Sequence, residues 1–301
     1  MEGNPVKLGI VVVTYNAWNF LKECLNSIAD EIKDLHDTET IVVDNASSDE
    51  THNLISQIFP WVRTIDNPVN YGPARAFNQG VNLAKSLGCD LVLLANSDVR
   101  FAPGSIKGMY DHLVANPSVD GVCVGLYNPD GTRQKFRTSL GVKLRKFDWR
   151  KRQRVFFFGT GCHMMRISCF EKVGLYDENY YFYNEDLDWS VRAARKGLYF
   201  EYIPGFTVYH WGGVGRRQNR FHINADLPRS NVYFYYKNFG KFIGTLAFII
   251  IALSLLLNLF FSGFLRLFNR GTIPQELNIQ KAAIIKLKRS IERGNKGSLR
   301  G

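Results

Sequence analysis

The chain has 301 residues, of which 38 are Lys or Arg and 27 are Asp or Glu, giving a formal net charge of +11. With 46% apolar and 22% charged residues it can bury a core, which excludes disordered, collagen-like and low-complexity classes. Cys24, Cys89, Cys123, Cys162 and Cys169 are odd in number and form no CxxC pair, so a disulfide framework or zinc knuckle is disfavoured and a reducing compartment fits.

The first 130 residues alternate apolar runs with helical patterns. GIVVVTY (9–15) predicts a buried strand and residues 18–29 a helix; TIVVDN (40–45) predicts a second strand, with Ser47, Ser48 and Asp49 as candidate N-caps for a helix through Phe59. Residues 62–66, 72–87 and 90–96 then read as strand, helix and strand. Continuous apolar strands separated by helices predict a parallel sheet covered on both faces, whose ligands bind beyond the carboxyl ends of the strands. Those ends carry Thr14-Tyr15-Asn16, Asp44-Asn45, Asp66-Asn67 and Asn96-Ser97-Asp98. Any one set is ordinary turn chemistry; four in succession predict one shared site. Neither GxGxxG after the first strand nor GxxxxGK[ST] occurs, so a bound nucleotide diphosphate needs another counter-charge, for which a divalent metal is suited.

Between Arg133 and Arg154 lie ten basic residues and one acidic residue, and from Arg266 onward nine basic and two acidic. The rest of the chain is therefore mildly acidic, and the basic stretches predict an anionic contact, nucleic acid or membrane. Residues 242–265 settle the preference, running 24 positions without a charge, flanked by Lys237, Lys241, Arg266 and Arg270. At about 1.5 Å per residue a helix of this length matches the ~30 Å hydrocarbon layer. Basic residues tend to stay cytoplasmic, which opposes a single crossing that separates the tail from the N-terminal region; spanning and in-plane arrangements both remain open. Residues 279–293 set Ile279, Ala282, Ala283, Leu287 and Ile291 near one helical face among basic residues, as an interfacial helix does. Leu8–Val13 is too short for a signal sequence, so the N-terminal region is expected on the cytoplasmic face of the membrane.

The ordered series VVVTYN, IVVDNASSDET, NYGPARAFNQG, LLANSD, GTGCHMMR, VGLYDENYYFYNEDLDWSVRAARKG and VYHWGG resembles family 2 glycosyltransferases of the GT-A fold, nearest the rhamnosyltransferase-like branch that builds bacterial surface polysaccharides. The resemblance covers roughly residues 7–215. It implies an α/β fold with a Rossmann-like, mostly parallel sheet flanked by helices, followed by C-terminal membrane-associated helices. Residues 1–235 would form the catalytic domain, with 1–130 as its nucleotide-sugar-binding half and 131–235 as its acceptor half. Residues 236–301 would hold the hydrophobic segment and basic amphipathic tail.

By the same resemblance, Asp44 binds the nucleotide base with the Thr14, Tyr15 and Asn16 backbone nearby, alongside Asn45. Asn70, Gly72 and Asn78 match the start of the Asn-x-Gly helix, and Gly72 lets the backbone approach a ligand closely. The arginine that often precedes the second Asn is Phe77 here, with Arg75 two residues earlier. Asn96, Ser97 and Asp98 match the DxD motif with Asn in its first place, leaving Asp98 as its carboxylate for Mn²⁺ or Mg²⁺, and His210 resembles the family's metal-shell histidine. His163 has a similar setting but is expected to pack. In Asn184-Glu185-Asp186-Leu187-Asp188, the spacing pairs Asp188 with Arg192 at i and i+4, and a carboxylate at the helix start is favoured as the anion. The resemblance makes Asp186 the general base, with Glu185 orienting hydroxyls. Tyr180–Tyr183 and Trp211 suit either sugar-stacking walls or core.

These readings together imply an inverting transfer from a dTDP-, UDP- or GDP-linked sugar to a lipid-linked saccharide at the membrane. A nucleic-acid binder would use Phe136, Phe147 and Trp149 as stacking groups but leaves residues 242–265 unexplained, so no nucleic-acid partner is expected. A catalytically silent sugar-nucleotide or lipid binder is the alternative that Asn96 raises.

Overall fold

The computed structural model describes residues 6–35, 37–134, 148–156, 161–213, 220–266 and 278–287. The chain packs as two compact units, Met1–Glu178 with Glu185–Gln218, and Asn179–Asn184 with Asn219–Gly301.

The first unit is built on β1 (Leu8–Thr14), β2 (Thr38–Asp44), β3 (Arg63–Asp66) and β4 (Leu91–Asn96), paired in parallel in the order β3-β2-β1-β4. The intervening helices are α1 (Trp18–Glu31), α2 (Thr51–Ile58) and α3 (Pro73–Ser86). Then follow β5 (Val99–Phe101), α4 (Ser105–Ala115), β6 (Gly121–Tyr127), β7 (Gln153–Val155), β8 (Cys162–Arg166), α5 (Ser168–Val173), α6 (Glu185–Arg195) and β9 (Phe200–His210). Beyond β4 the sheet continues β8-β6-β9-β5, with β7 on β9; β6 and β9 are parallel, whereas β4–β8, β6–β8, β5–β9 and β7–β9 are antiparallel. The fold is thus the expected α/β sheet flanked by helices, parallel through its first half and mixed beyond it.

Alternation along β1 explains the layers. Leu8, Ile10 and Val12 enter one core with Leu21, Leu25 and Ile28 of α1 and Ile106 and Leu113 of α4. Val11 points the other way, into a core with Val81 of α3, Phe170 of α5 and Trp189 of α6. Each such buried side chain contributes roughly 1.5–3 kcal/mol. Gly80 lets α3 lie against β1, since a Cβ there would stand 2.2 Å from Val11 Cγ1. All five cysteines are buried and free.

The second unit contains α7 (Arg220–Arg266), interrupted at Gly240 (φ 84°, ψ 178°), and a tail helix over residues 278–287. Among the described residues α7 is the one helix long and apolar enough to cross a membrane, and Phe242, Ile250, Leu253, Leu257 and Phe260 on it are exposed. The tail helix buries Ala283 and Leu287, on the face the sequence pattern marked; Ile291 lies outside the described residues.

Candidate active site

Parallel register aligns the strand ends. Thr14 pairs with Asp44, Asp44 with Asp66, and Val13 with Asn96, so the polar residues closing β1 to β4 lie along one edge. Asp44 is buried, and its Oδ1 accepts hydrogen bonds from the Ser47 amide and hydroxyl. Burial holds its carboxyl above the usual range, against the two Ser47 bonds, with Asp66 and Asp49 adding to the rise. Ser47 therefore serves Asp44, and also accepts from the Asn16 amide at 2.8 Å. The N-cap position of α2 is Glu50, which makes no side-chain cap bond, in place of the three expected candidates; Asp49 beside it accepts from the Thr51 amide. Asn16 (φ 48°) closes the arrangement by accepting from the Ser48 amide at 2.6 Å. Tyr15 beside it is half-buried.

Asn45 is the hub of the next loop. Its Nδ2 donates to Asn70 Oδ1 (3.0 Å) and the Gly72 carbonyl (3.2 Å), and its Oδ1 accepts from Asn67 Nδ2 and the Tyr71 amide, both at 3.1 Å. The Gly72 amide in turn donates to Asn70 Oδ1. Asn45 and Asn70 thus shape the backbone at the α3 N-terminus, where Gly72 holds φ 83° before Pro73. Arg75 stacks on Tyr71, 3.8 Å from the ring centre, and stands 4.0 Å from Glu178. Asn78 is turned inward: its amide donates to the Tyr176 carbonyl and accepts from the Tyr176 amide, both at 2.9 Å, fixing the segment that precedes the acidic helix.

Antiparallel pairing of Val99 with His210 brings the Asn96-Ser97-Asp98 turn beside the end of β9. Asp98 Oδ1 stands 3.3 Å from His210 Nε2, and the Trp211 amide donates to the Asp98 carbonyl at 3.0 Å. Gln134 fixes the imidazole. Its Nε2 donates to the His210 carbonyl (2.6 Å) and Asn128 Oδ1 (2.9 Å), so its Oε1 faces His210 Nδ1 at 2.9 Å and that nitrogen must be the donor. His210 Nε2 faces the Asp98 carboxylate, is buried, and makes no hydrogen bond. With the ring neutral, Nε2 and Asp98 Oδ1 are two donor atoms at 3.3 Å that a cation could share. No group of three or more His, Cys, Asp and Glu side chains gathers anywhere among the described residues, so such an ion needs further oxygen donors from a ligand. His163 packs as expected, with Nε2 3.3 Å from the Tyr176 hydroxyl.

At α6, Asp188 is fully buried and pairs with Arg192 Nε at 2.9 Å; Arg192 also donates to the Val173 and Leu175 carbonyls. This is the expected i,i+4 pair, and it ties α6 to the loop after α5. Glu185 departs from the expected helix-start anion. Burial first, and then the charge of neighbouring Asp186, pushes its carboxyl up to about 8, and its Oε2 has no hydrogen-bond partner. Desolvation outweighs the helix dipole there and favours the protonated form of Glu185. Asp186 is half-exposed and its Oδ1 accepts from the Leu187 amide at 2.7 Å. Of the aromatic candidates, the buried Tyr180 packs at a tilt against Tyr233 (5.0 Å between centres), and the half-buried Trp211 meets Phe20 edge-on (5.8 Å).

Residues 135–147, including Phe136 and Phe147, lie outside the described residues. Arg133 and Arg150 flank the exposed Trp149, at 5.0 and 4.8 Å from its ring centre. The sequence reading missed Gln134, Ser47 and the inward turn of Asn78. Gln134 sat unmarked in a basic stretch, and no local pattern reveals a partner 76 residues away.

The model of the family described as "Glycosyl transferase family 2" matches residues 9–174. The chain is similar to an N-acetylglucosaminyl-diphospho-decaprenol L-rhamnosyltransferase of Mycobacterium tuberculosis, 27% identical over 233 residues, covering 67% of this chain and 75% of the relative. It is also similar to an uncharacterized glycosyltransferase, YwdF, of Bacillus subtilis, 29% identical over 229 residues, covering 74% and 79% of the two chains. Among solved structures, S. aureus TarS 1-349 in complex with UDP superposes with TM-score 0.55 at 16% identity, covering 82% of this chain and 70% of that one. GalNAc-T7 with UDP, GalNAc and Mn²⁺ superposes with TM-score 0.58 at 16% identity, covering 78% of this chain; this chain spans half its length. These two likenesses establish the fold.

Proposed function

This chain belongs to glycosyl transferase family 2, and on that premise we propose that it moves a sugar, rhamnose in the first instance, from a nucleoside-diphosphate donor to a hydroxyl of a lipid-linked saccharide with inversion. The observation that carries this reading is the opposition of Asp98 Oδ1 and His210 Nε2 at 3.3 Å, on the same sheet as the strand ends that hold Asp44. The donor's base is assigned to Asp44 and the Thr14–Asn16 backbone. Its diphosphate is assigned to the Gly72 turn, Arg75, Asn96 and Ser97. Asp98 and His210 would hold Mn²⁺ or Mg²⁺, which when bound neutralises charge on the departing diphosphate.

Asp186 carries the proton transfer. As the acceptor oxygen forms its bond to the anomeric carbon, its proton passes to Asp186, and the carbon–oxygen bond to the diphosphate breaks from the opposite face with the electron pair leaving on the phosphate oxygen. Glu185, protonated, is a hydrogen-bond donor suited to orienting a hydroxyl rather than to removing a proton. A membrane-borne acceptor is supported by α7 and by the lipid-linked substrate in the mycobacterial relative's name. The basic stretch around Arg150 would face the lipid headgroups on the cytoplasmic side.

The test is a panel of dTDP-, UDP- and GDP-sugars scored for nucleoside diphosphate release with Mn²⁺, with Mg²⁺ and with EDTA. One donor is expected to react, only with metal. Asp186→Asn should remove turnover by about 10²–10⁴-fold while keeping nucleotide binding. Metal-independent turnover, or an active Asp186→Asn, contradicts the mechanism; no turnover on any donor, with nucleotide still bound, favours the silent binder.

A further inference from the structure

The two residues preceding Glu185-Asp186 are held in an unusual conformation. Tyr183 (φ 66°) and Asn184 (φ 71°) both lie in the left-handed region, although neither is glycine. Successive non-glycine residues are sparsely populated there and persist only where surrounding contacts enforce them. In the chain, Asn184 is followed directly by Glu185, the first residue of α6.

Three consecutive residues of α7 contact this segment, within the second unit. Arg229 Nη2 donates to the Asn179 carbonyl at 2.8 Å, Ser230 Oγ to the Phe182 carbonyl at 3.1 Å, and Asn231 Oδ1 accepts from Asn184 Nδ2 at 2.8 Å. Ser230 and Asn184 are buried, so neither has water as a substitute partner. The guanidinium of Arg229 is itself fixed by Asp226, at 2.8 and 3.0 Å, and Asp226 is approached by Lys286 of the tail helix at 3.6 Å. Tyr233 packs at a tilt against Tyr180 of the same segment. Residues 179–184 are thus gripped along their length by the helix that continues, past Gly240, into the exposed apolar stretch.

We propose that Arg229, Ser230 and Asn231 are positioning residues for the reaction: by holding the 179–184 segment they fix the left-handed turn from which Asp186 is presented. The proposal rests on the reading of Asp186 as the base. It adds that the membrane-proximal helix, besides anchoring the chain, sets catalytic geometry through the main chain.

Asn231→Ala and Asn231→Asp in the full-length protein, in detergent micelles, provide the test, because Asp retains the acceptor for Asn184 Nδ2 and Ala removes it. Nucleoside diphosphate release is measured on dTDP-rhamnose or on whichever panel donor reacts, together with hydrogen–deuterium exchange over residues 179–188. Asn231→Ala is expected to lower kcat about tenfold or more at unchanged donor KM and to speed exchange in that segment, while Asn231→Asp stays near wild type. Ser230→Ala, which loses one bond, should act in the same direction to a smaller degree and serves if Asn231→Ala does not fold. Unchanged kcat and exchange in both alanine variants, or a rise in KM with kcat intact, overturns the proposal. If Asp186→Asn remains active, the base assignment itself fails; if it is inactive while the alanine variants behave as wild type, only the positioning role fails.

Discussion

Replacing Glu185 with Gln tests the electrostatics at the start of α6. The amide has nearly the shape of the protonated acid and does not titrate. In the folded protein burial and Asp186 raise the carboxyl from 4.5 to about 8, whereas in the unfolded chain it ionises near its ordinary value. Folding therefore favours the protonated form: the stabilisation is complete below about 4.5 and is lost as pH rises toward 8. Within that window each pH unit removes about 1.4 kcal/mol, so from pH 6 to 7.5 the wild type should lose about 2 kcal/mol relative to Glu185→Gln. For a chain this size that is a relative Tm change of roughly 3 °C. Thermal unfolding of both proteins across this range, followed through tryptophan fluorescence with Trp189 buried on the same helix, measures it. The wild-type Tm should fall progressively below that of Glu185→Gln as pH rises, so that the two curves diverge. Parallel curves would mean that Glu185 is already ionised at pH 6, and the orienting role assigned to its hydroxyl would fall with that result.

Gln134→Ala removes the group that fixes the His210 tautomer and should weaken Mn²⁺ affinity in the presence of UDP or dTDP by about 10–100-fold, read by electron paramagnetic resonance titration. Gly72→Ala places a side chain at φ 83°; it should cost on the order of 1–3 kcal/mol in thermal stability and weaken nucleotide binding. Changing Arg150, Lys151, Arg152 and Arg154 together to Ser should reduce binding to liposomes containing anionic lipid, at about 1 kcal/mol per residue seated at the surface, with no change on neutral liposomes.

The first half of the sheet is legible because β1, β2 and β4 carry continuous apolar runs with helices between them. β1 and β4 appear within a residue of their observed bounds, since burial on both faces leaves their composition little choice. The mixed second half is not legible in the same way. β5 and β7 have three residues each, and what makes them strands is pairing with β9, a partner far along the chain. Side-chain direction was the other hidden quantity. Ser47, Ser48 and Asp49 were equivalent cap candidates by type, yet Ser47 is drawn to Asp44, Asp49 reaches the Thr51 amide, and Glu50 takes the N-cap position. Asn45 and Asn78 lie in motifs that point to a ligand, and the structure commits both amides to the loops that frame one. Asp188 with Arg192 was readable because a helix fixes the i,i+4 geometry locally. The grip of α7 on residues 179–184 had no local signature at all.

Titration with Mn²⁺ of the nucleotide-bound protein and its Asp98→Ala, His210→Ala and double variants tests the account most directly. Shared coordination predicts one ion bound by the wild type, weakened by either substitution, with the double variant little worse than the weaker single. Full Mn²⁺ affinity in both single variants would contradict the pairing of Asp98 and His210 on which the proposed chemistry rests.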